Sequence, residues 1–172
     1  MQTSDKQARI GSENGGTHPP PIEIRELQPN EDATAFRTLN EEWITQYFAL
    51  EKKDREILEH PETTILQKGG HIFMVYVEGQ AAGCVALIPL GHGVYELSKM
   101  AISPRLRGLG IGRRLLEHTI SQAKAIGAKS LFLGSNAKLA NAVHLYESVG
   151  FRHVPPVASP YTRANVFMEM DL

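Results

Sequence analysis

The chain has 172 residues, enough for one domain with a sizeable core, and its 42% hydrophobic and 22% charged residues are ordinary for a globular protein. A formal net charge of -1 gives no global attraction to nucleic acid or an anionic membrane, so any recognition of phosphate must be local. The one cysteine, Cys84, excludes an internal disulfide and fits a reducing, cytoplasmic setting, and no apolar run reaches the roughly 18 residues of a membrane span.

Residues Met1 to Pro21 are polar and Gly-rich and end in Pro19-Pro20-Pro21. They hold too few apolar groups to offset the entropy of ordering and lack the apolar middle of a secretory signal, so a disordered leader is expected at 1–21. Ile22, Ile24 and Leu27 suggest a first strand. Asn30 then caps a helix with Glu31 and Asp32 in its first turn, and Phe36, Leu39, Trp43, Tyr47 and Phe48 recur at helical spacing. A more charged helix covers about Glu51 to His60 and stops at Pro61, its charges reading as a solvated face. The period then changes. His71 to Glu78 and Ala81 to Leu90 are apolar runs joined by a Gly79-Gln80 turn, and Gly91-His92-Gly93 turns into a strand from Val94 to Ile102. A helix from Leu109 to about Ile126, a short strand at Leu131 to Leu133, a helix ending at Gly150 and a strand near Arg163 to Met170 complete the chain. The order β-α-α-β-β-β-α-β-α-β implies an α/β fold, a mixed sheet with helices on both faces.

The stretch from Met100 to Arg114 carries the most chemistry. A strand runs into a turn holding Gly108, Gly110 and Gly112 and then opens a helix, with Arg105, Arg107, Arg113 and Arg114 around it. Glycines let the backbone approach a ligand, and the helix start points free N–H groups and its positive dipole end outward. Such a loop suits a pyrophosphate. A nucleoside triphosphate loop would need Lys-Ser/Thr after its glycines, and a dinucleotide fold would place the loop after its first strand, so neither fits.

Arg107-Gly-Leu-Gly110-Ile-Gly112 resembles the Arg/Gln-x-x-Gly-x-Gly/Ala signature of the GNAT superfamily of acetyl-CoA-dependent N-acetyltransferases. Ala142-Val-His-Leu-Tyr146-Glu-Ser-Val-Gly150-Phe151 is similar to that family's late helix ending in Tyr-x-x-x-Gly-Phe. The resemblance covers about Ile22 to Leu172 and implies an N-acetyltransferase domain at 22–172 with the acyl-CoA N-acyltransferase fold, its central strands splayed. It places Met100, Ala101 and Ile102 along the pantetheine arm of acetyl-CoA. Arg107, Gly108, Leu109, Gly110, Ile111, Gly112 and Arg113 fall around the pyrophosphate. Many relatives carry Asn seven residues before the late-helix Tyr; here that position is Leu139, and Asn136 or Asn141 could substitute, Asn136 being the better candidate against a plain helix cap.

The same resemblance implies that Tyr146 is the general acid that protonates departing thiolate; periodicity alone would make it a packed core tyrosine. Glu96 is the candidate base that removes a proton from the acceptor ammonium. Strand alternation puts Glu96, Ser98 and Met100 on one face, and an ion pair of Glu96 with Lys99 or an arginine is the competing reading. Trp43, Tyr47 and Phe48 read as core, although early-helix residues in this family wall the acceptor pocket, and Arg163 could meet a carboxylate. Cys84 reads as a small core residue. None of the seven histidines has a metal spacing such as His-Glu-x-x-His, so no metal is expected. The expected activity is direct transfer of acetyl from acetyl-CoA to a primary amine of a small or amino-acid-like molecule. The alternatives are a protein N-terminal or lysine acetyltransferase and a non-catalytic acyl-CoA sensor. Neither nucleic acid nor membrane is an expected partner, and a homodimer is compatible with the sequence.

Overall fold

The computed structural model describes residues 21–172, so the leader expected at 1–21 lies, Pro21 apart, outside the described residues. The strands are β1 (Ile22–Glu26), β2 (His71–Val77), β3 (Gln80–Gly91), β4 (Val94–Ile102), β5 (Ser130–Ser135), β6 (Arg152–His153) and β7 (Val166–Asp171). The helices are α1 (Thr34–Tyr47), α2 (Lys52–Glu59), α3 (Pro61–Thr64), α4 (Ile111–Ala125) and α5 (Ala140–Val149). One sheet runs β1-β2-β3-β4-β5-β7-β6, antiparallel throughout except for the parallel pair β4 and β5.

Strands β2 and β3 are apolar on both faces because both faces are covered. Phe73, Val75 and Leu87 join Leu115, Leu116 and Ala123 of α4 in one core, with Tyr146 and Val149 of α5 against it. Ile72, Met74, Cys84 and Ala86 join Phe36 and Ile44 of α1 and Ile57 and Leu58 of α2 in the other. The expected two-faced mixed sheet is what forms. Cys84 is fully buried there, and burial pushes its thiol up to about 12 although the Asn40 amide donates to it at 3.3 Å.

Several local expectations are corrected. Helix α1 begins at Thr34, not beside Asn30: Asn30 has a left-handed φ of 67°, and the Asp32 carboxylate accepts instead from the Thr34 N–H at 2.9 Å. Helix α2 stops before Pro61 as expected, but Pro61 also starts the separate short helix α3, because proline at a first helical position loses no hydrogen bond. Helix α4 starts at Ile111, the last strand at Val166, and the two-residue strand β6 was not foreseen.

The largest correction lies in β4. Its register against β3 slips between Cys84↔Ala101 and Ala86↔Ser98, leaving Lys99 and Met100 together opposite Val85. Lys99 takes φ 56°, so this is a β-bulge. The extra residue reverses the alternation: Leu97, Met100 and Ile102 all pack toward α4, so Met100 does not share a face with Glu96. Strands β4 and β5 pair only at Val94–Ser130, Tyr95–Leu131 and Glu96–Phe132; beyond Glu96 they run on unpaired.

Gly70 shows how tightly the β2 entrance is packed. A Cβ there would lie 2.7 Å from the Leu87 carbonyl oxygen and 2.8 Å from that of Ile65, both backbone atoms that cannot swing away. Gly70→Ala should therefore cost roughly 1–3 kcal/mol of stability, the usual range for overpacking, seen as a lower urea midpoint with unchanged slope.

Candidate active site

The unpaired stretch between β4 and β5 opens a cleft of about 1180 Å³. Met100, Ala101, Ile102, Arg107, Gly108, Gly110, Ile111, Gly112, Arg113 and Asn136 all line it, as do Glu96 and Tyr146. Leu109 does not; its side chain is exposed and points away.

At one end the chain leaves β4, makes a short helical turn at Pro104–Leu106 and reaches the glycine loop. Gly108 and Gly110 both hold φ 78°, and nothing lies within 4 Å of a Cβ built on either. Gly110 is the residue before α4 and supplies no side-chain cap, and the first turn carries no acidic residue. Among the described residues, no N–H from Gly108 to Arg113 donates to a group of the chain; the first amide with a partner is Arg114, to the Gly110 carbonyl at 3.1 Å. Six successive amides without an acceptor at a helix start, five of them on residues that line the cleft, make a cradle for an anion. Arg113 is held by Glu117 at 3.3 Å and by Ser148 at 2.7 Å, which ties α4 to α5. Arg107 has no side-chain partner among the described residues. The residues present therefore fit the diphosphate of a CoA.

Midway along the cleft, Tyr146 packs edge-on against Phe151, ring centroids 5.9 Å apart, and its hydroxyl has no hydrogen-bond partner among the described residues. Burial pushes the phenol up to about 12, so it is a protonated donor at neutral pH. Glu96 sits where β4 and β5 part. It forms no ion pair among the described residues, which overturns the reading that pairs it with Lys99 or an arginine. Burial raises its pKa, opposed by the more distant charges of Lys99 and Lys53. Asn136 is not a helix cap: Leu139 takes that position. Its amide donates to the Arg163 carbonyl at 2.6 Å and accepts from the Lys138 N–H at 2.8 Å, so it ties the β5–α5 turn to the segment that leads into β7.

Behind Glu96 lies a cluster that the sequence reading missed. The bulge turns the Lys99 side chain toward α2, where its ammonium meets Asp54 Oδ1 at 2.6 Å and donates to the Tyr161 hydroxyl at 3.0 Å. Arg163 clamps Asp54 through two bonds of 2.7 Å and reaches Glu51 at 3.1 Å. Arg163 thus meets carboxylates of its own chain. The Asp54 and Lys99 side chains are 0% and 3% exposed. Burial opposes ionisation of Asp54, but the Arg163 hydrogen bonds and the Lys99 charge outweigh it and hold the carboxyl at about 2. A signal existed: Asp54 stands three and four residues before Ile57 and Leu58, on the buried stripe of α2, and Glu51-x-x-Asp54 forms a capping box.

Comparison with known proteins agrees with this geometry. The acetyltransferase (GNAT) family model matches residues 34–151. An uncharacterized N-acetyltransferase of Schizosaccharomyces pombe is 28% identical over 90% of this chain and 97% of its own. An amino-acid acetyltransferase of Ralstonia nicotianae is 29% identical over 67% of this chain but only 23% of its own length. The chain spans from about half to nearly all of the length of the first curated relatives it matches. The PaiA N-acetyltransferase of Thermoplasma acidophilum, solved with coenzyme A, has the same fold at a TM-score of 0.71 and 19% identity, over 88% of this chain and 99% of its own. The chain belongs to the acetyltransferase (GNAT) family and is an acyltransferase.

The ion cluster yields a stability prediction. Asp54→Asn leaves two buried cations facing a neutral amide and should cost about 3–5 kcal/mol in denaturant unfolding. Because the folded carboxyl lies at about 2 against an ordinary 3.8, its contribution is present above the higher value and disappears as pH falls through the lower. The acid side of the stability profile should therefore flatten in the variant.

Proposed function

We propose that residues 22–172 act as an N-acetyltransferase domain that moves acetyl from acetyl-CoA to a primary amine of a small molecule, with both substrates bound at once. The observation that carries this reading is the cleft itself. It joins six acceptor-free amides at one end to an unpartnered phenol and an unpaired, buried carboxyl farther along.

Bound acetyl-CoA supplies an acetyl thioester that transfers to the amine with release of a thiolate. The amides from Gly108 to Arg113 and the Arg107 guanidinium hold the diphosphate. The free edge of β4 beyond Glu96, along Met100, Ala101 and Ile102, lies open to the pantetheine arm, and its N–H groups can polarise the carbonyl. Glu96 accepts the proton that the ammonium must lose before it can attack, directly or through one water. Tyr146 gives its proton to the sulfur and is reprotonated, through water, by the second proton that the nitrogen sheds as the amide forms. Asn136 shapes the wall and Leu109 stays outside.

Gly110→Asp adds a negative side chain at the cradle, just before α4, where the aspartate must also take the left-handed φ of 78°. CoA affinity should fall at least tenfold, about 1.4 kcal/mol, by calorimetry on a variant whose helical signal is unchanged. Unaltered affinity would move the cofactor elsewhere.

Thiol release from acetyl-CoA tests the chemistry. Tyr146→Phe should lower turnover about a hundredfold with little change in CoA binding. Glu96→Gln should lower turnover near neutral pH and regain part of it as pH rises and more amine arrives uncharged. In wild type the base must be ionised, so its raised pKa predicts activity lost on acidification through a value above that of an ordinary glutamate. Having no ion-pair partner, Glu96→Gln should leave the melting temperature no lower. Tight CoA binding without turnover on any amine would favour a sensor.

A further inference from the structure

On the face of the sheet away from α4, the cleft beside Glu96 is built from aromatic rings. Phe132 is the cross-strand neighbour of Glu96. Phe167 stacks on Phe132 at 6.2 Å and 19°. Across from them, Trp43 meets Phe48 edge-on at 6.5 Å, its indole N–H held by Asn40 at 3.2 Å. Tyr161 lies under the Lys99 ammonium at 4.4 Å and the Arg163 guanidinium at 4.7 Å. All of these rings line the cleft.

The rim is apolar too. Among the described residues, five large hydrophobic side chains are exposed, and three of them, Tyr47 (46%), Leu90 (50%) and Val157 (51%), line this cleft. Exposed apolar groups gathered at one cavity, when isolated ones are the norm elsewhere, mark a surface that an apolar body covers.

The charges point the same way. Lys99 and Arg163 are the cations that line this part of the cleft, and Asp54 and Glu51 already neutralise them; Lys53, whose charge also reaches Glu96, lies outside the lining and pairs with Glu56 at 3.7 Å. Glu169 is paired with Arg152 at 2.6 Å. The other cationic side chains on the cleft, Arg107, Arg113 and Lys138, sit on the phosphate loop and just before α5. Glu96 is left as the acidic side chain on the cleft with no ion pair among the described residues. An ammonium is favoured here by that carboxyl and by the ring faces. A substrate carboxylate would meet Glu96 and Glu169 on the cleft wall, and the cations beside them, Lys99 and Arg163, already have partners.

We propose that the acceptor is a primary alkylamine with an aromatic or branched apolar body and no carboxylate beside its nitrogen, seated among Trp43, Phe48, Phe132 and Tyr161 with the nitrogen at Glu96. This rests on the N-acetyltransferase reading above. The apolar rings bind the body in the ground state and the transition state alike, so they set KM more than turnover.

Three amines separate the contributions: 2-phenylethylamine, phenylalanine, which adds only the carboxylate, and ethanolamine, which lacks the ring. Thiol release should give 2-phenylethylamine a kcat/KM at least tenfold above either of the others. Trp43 is the only tryptophan, so its fluorescence in the CoA-saturated protein reports occupancy without chemistry. It should saturate with 2-phenylethylamine at a concentration at least tenfold below that for phenylalanine. Tyr47→Ala, at an exposed site, should raise KM for 2-phenylethylamine several-fold and leave ethanolamine unmoved. Turnover in which phenylalanine or ethanolamine comes within threefold of 2-phenylethylamine would overturn the acceptor class while the acetyltransferase reading stands. No turnover with any amine would remove that reading and this inference with it.

Discussion

The cleft depends on the backbone of Lys99. A β-branched or aromatic residue would resist φ 56°, and lysine adopts it here with its ammonium seated on a buried carboxylate 2.6 Å away. The left-handed residue inserts one extra position into β4, bends it away from β5 and so leaves the two strands joined at three residue pairs. Backbone strain, a buried ion pair and the opening of the site are one feature. The ion pair alone would be a poor source of stability, since its desolvation opposes its attraction. Its value lies in fixing where the chain turns, and through Arg163 it also fixes the approach to β7.

Much of this was legible in order and period. The apolar runs of β2 and β3, the glycine loop before α4 and the Tyr146-to-Phe151 ending are local patterns, and the structure places them as their spacing suggests. The face of Met100 was not legible, because alternation assumes an unbroken ladder and a single inserted residue reverses it downstream. The buried cluster was hidden for a different reason. Asp54 sits among Lys52, Lys53, Arg55 and Glu56, where a charged helix reads as solvated, and its partners lie 45 and 109 residues further along the chain. Long-range charge pairing leaves no period. The lone position of Glu96 was likewise undecidable from its neighbours, since alternation sets Lys99 on the opposite face, whereas the bulge brings it to the Glu96 side and Asp54 then holds it.

The two ends of the cleft use different physics. On the proposed reading, specificity at the glycine loop comes chiefly from backbone amides, so the recognition would be written in φ angles and in the absence of a side-chain cap. At Glu96 it comes from ring faces and an excess of one negative charge, both properties of side chains that can vary without disturbing the sheet. A fold so divided could keep one substrate constant while the other changes, because the residues proposed for the first sit on the turn into α4 and those proposed for the second on α1, β5 and the segment before β7.

The burial of Cys84 carries a consequence of its own. With its thiol held near 12 between the sheet and α1, almost none of it is thiolate at neutral pH, and only the thiolate attacks peroxides, alkylating agents or disulfides. The proposed chemistry passes through no sulfur of the protein. Cys84 should therefore be indifferent to the redox state around it, so that reagents which silence thiol-dependent enzymes by attacking a thiolate find none to attack at this position.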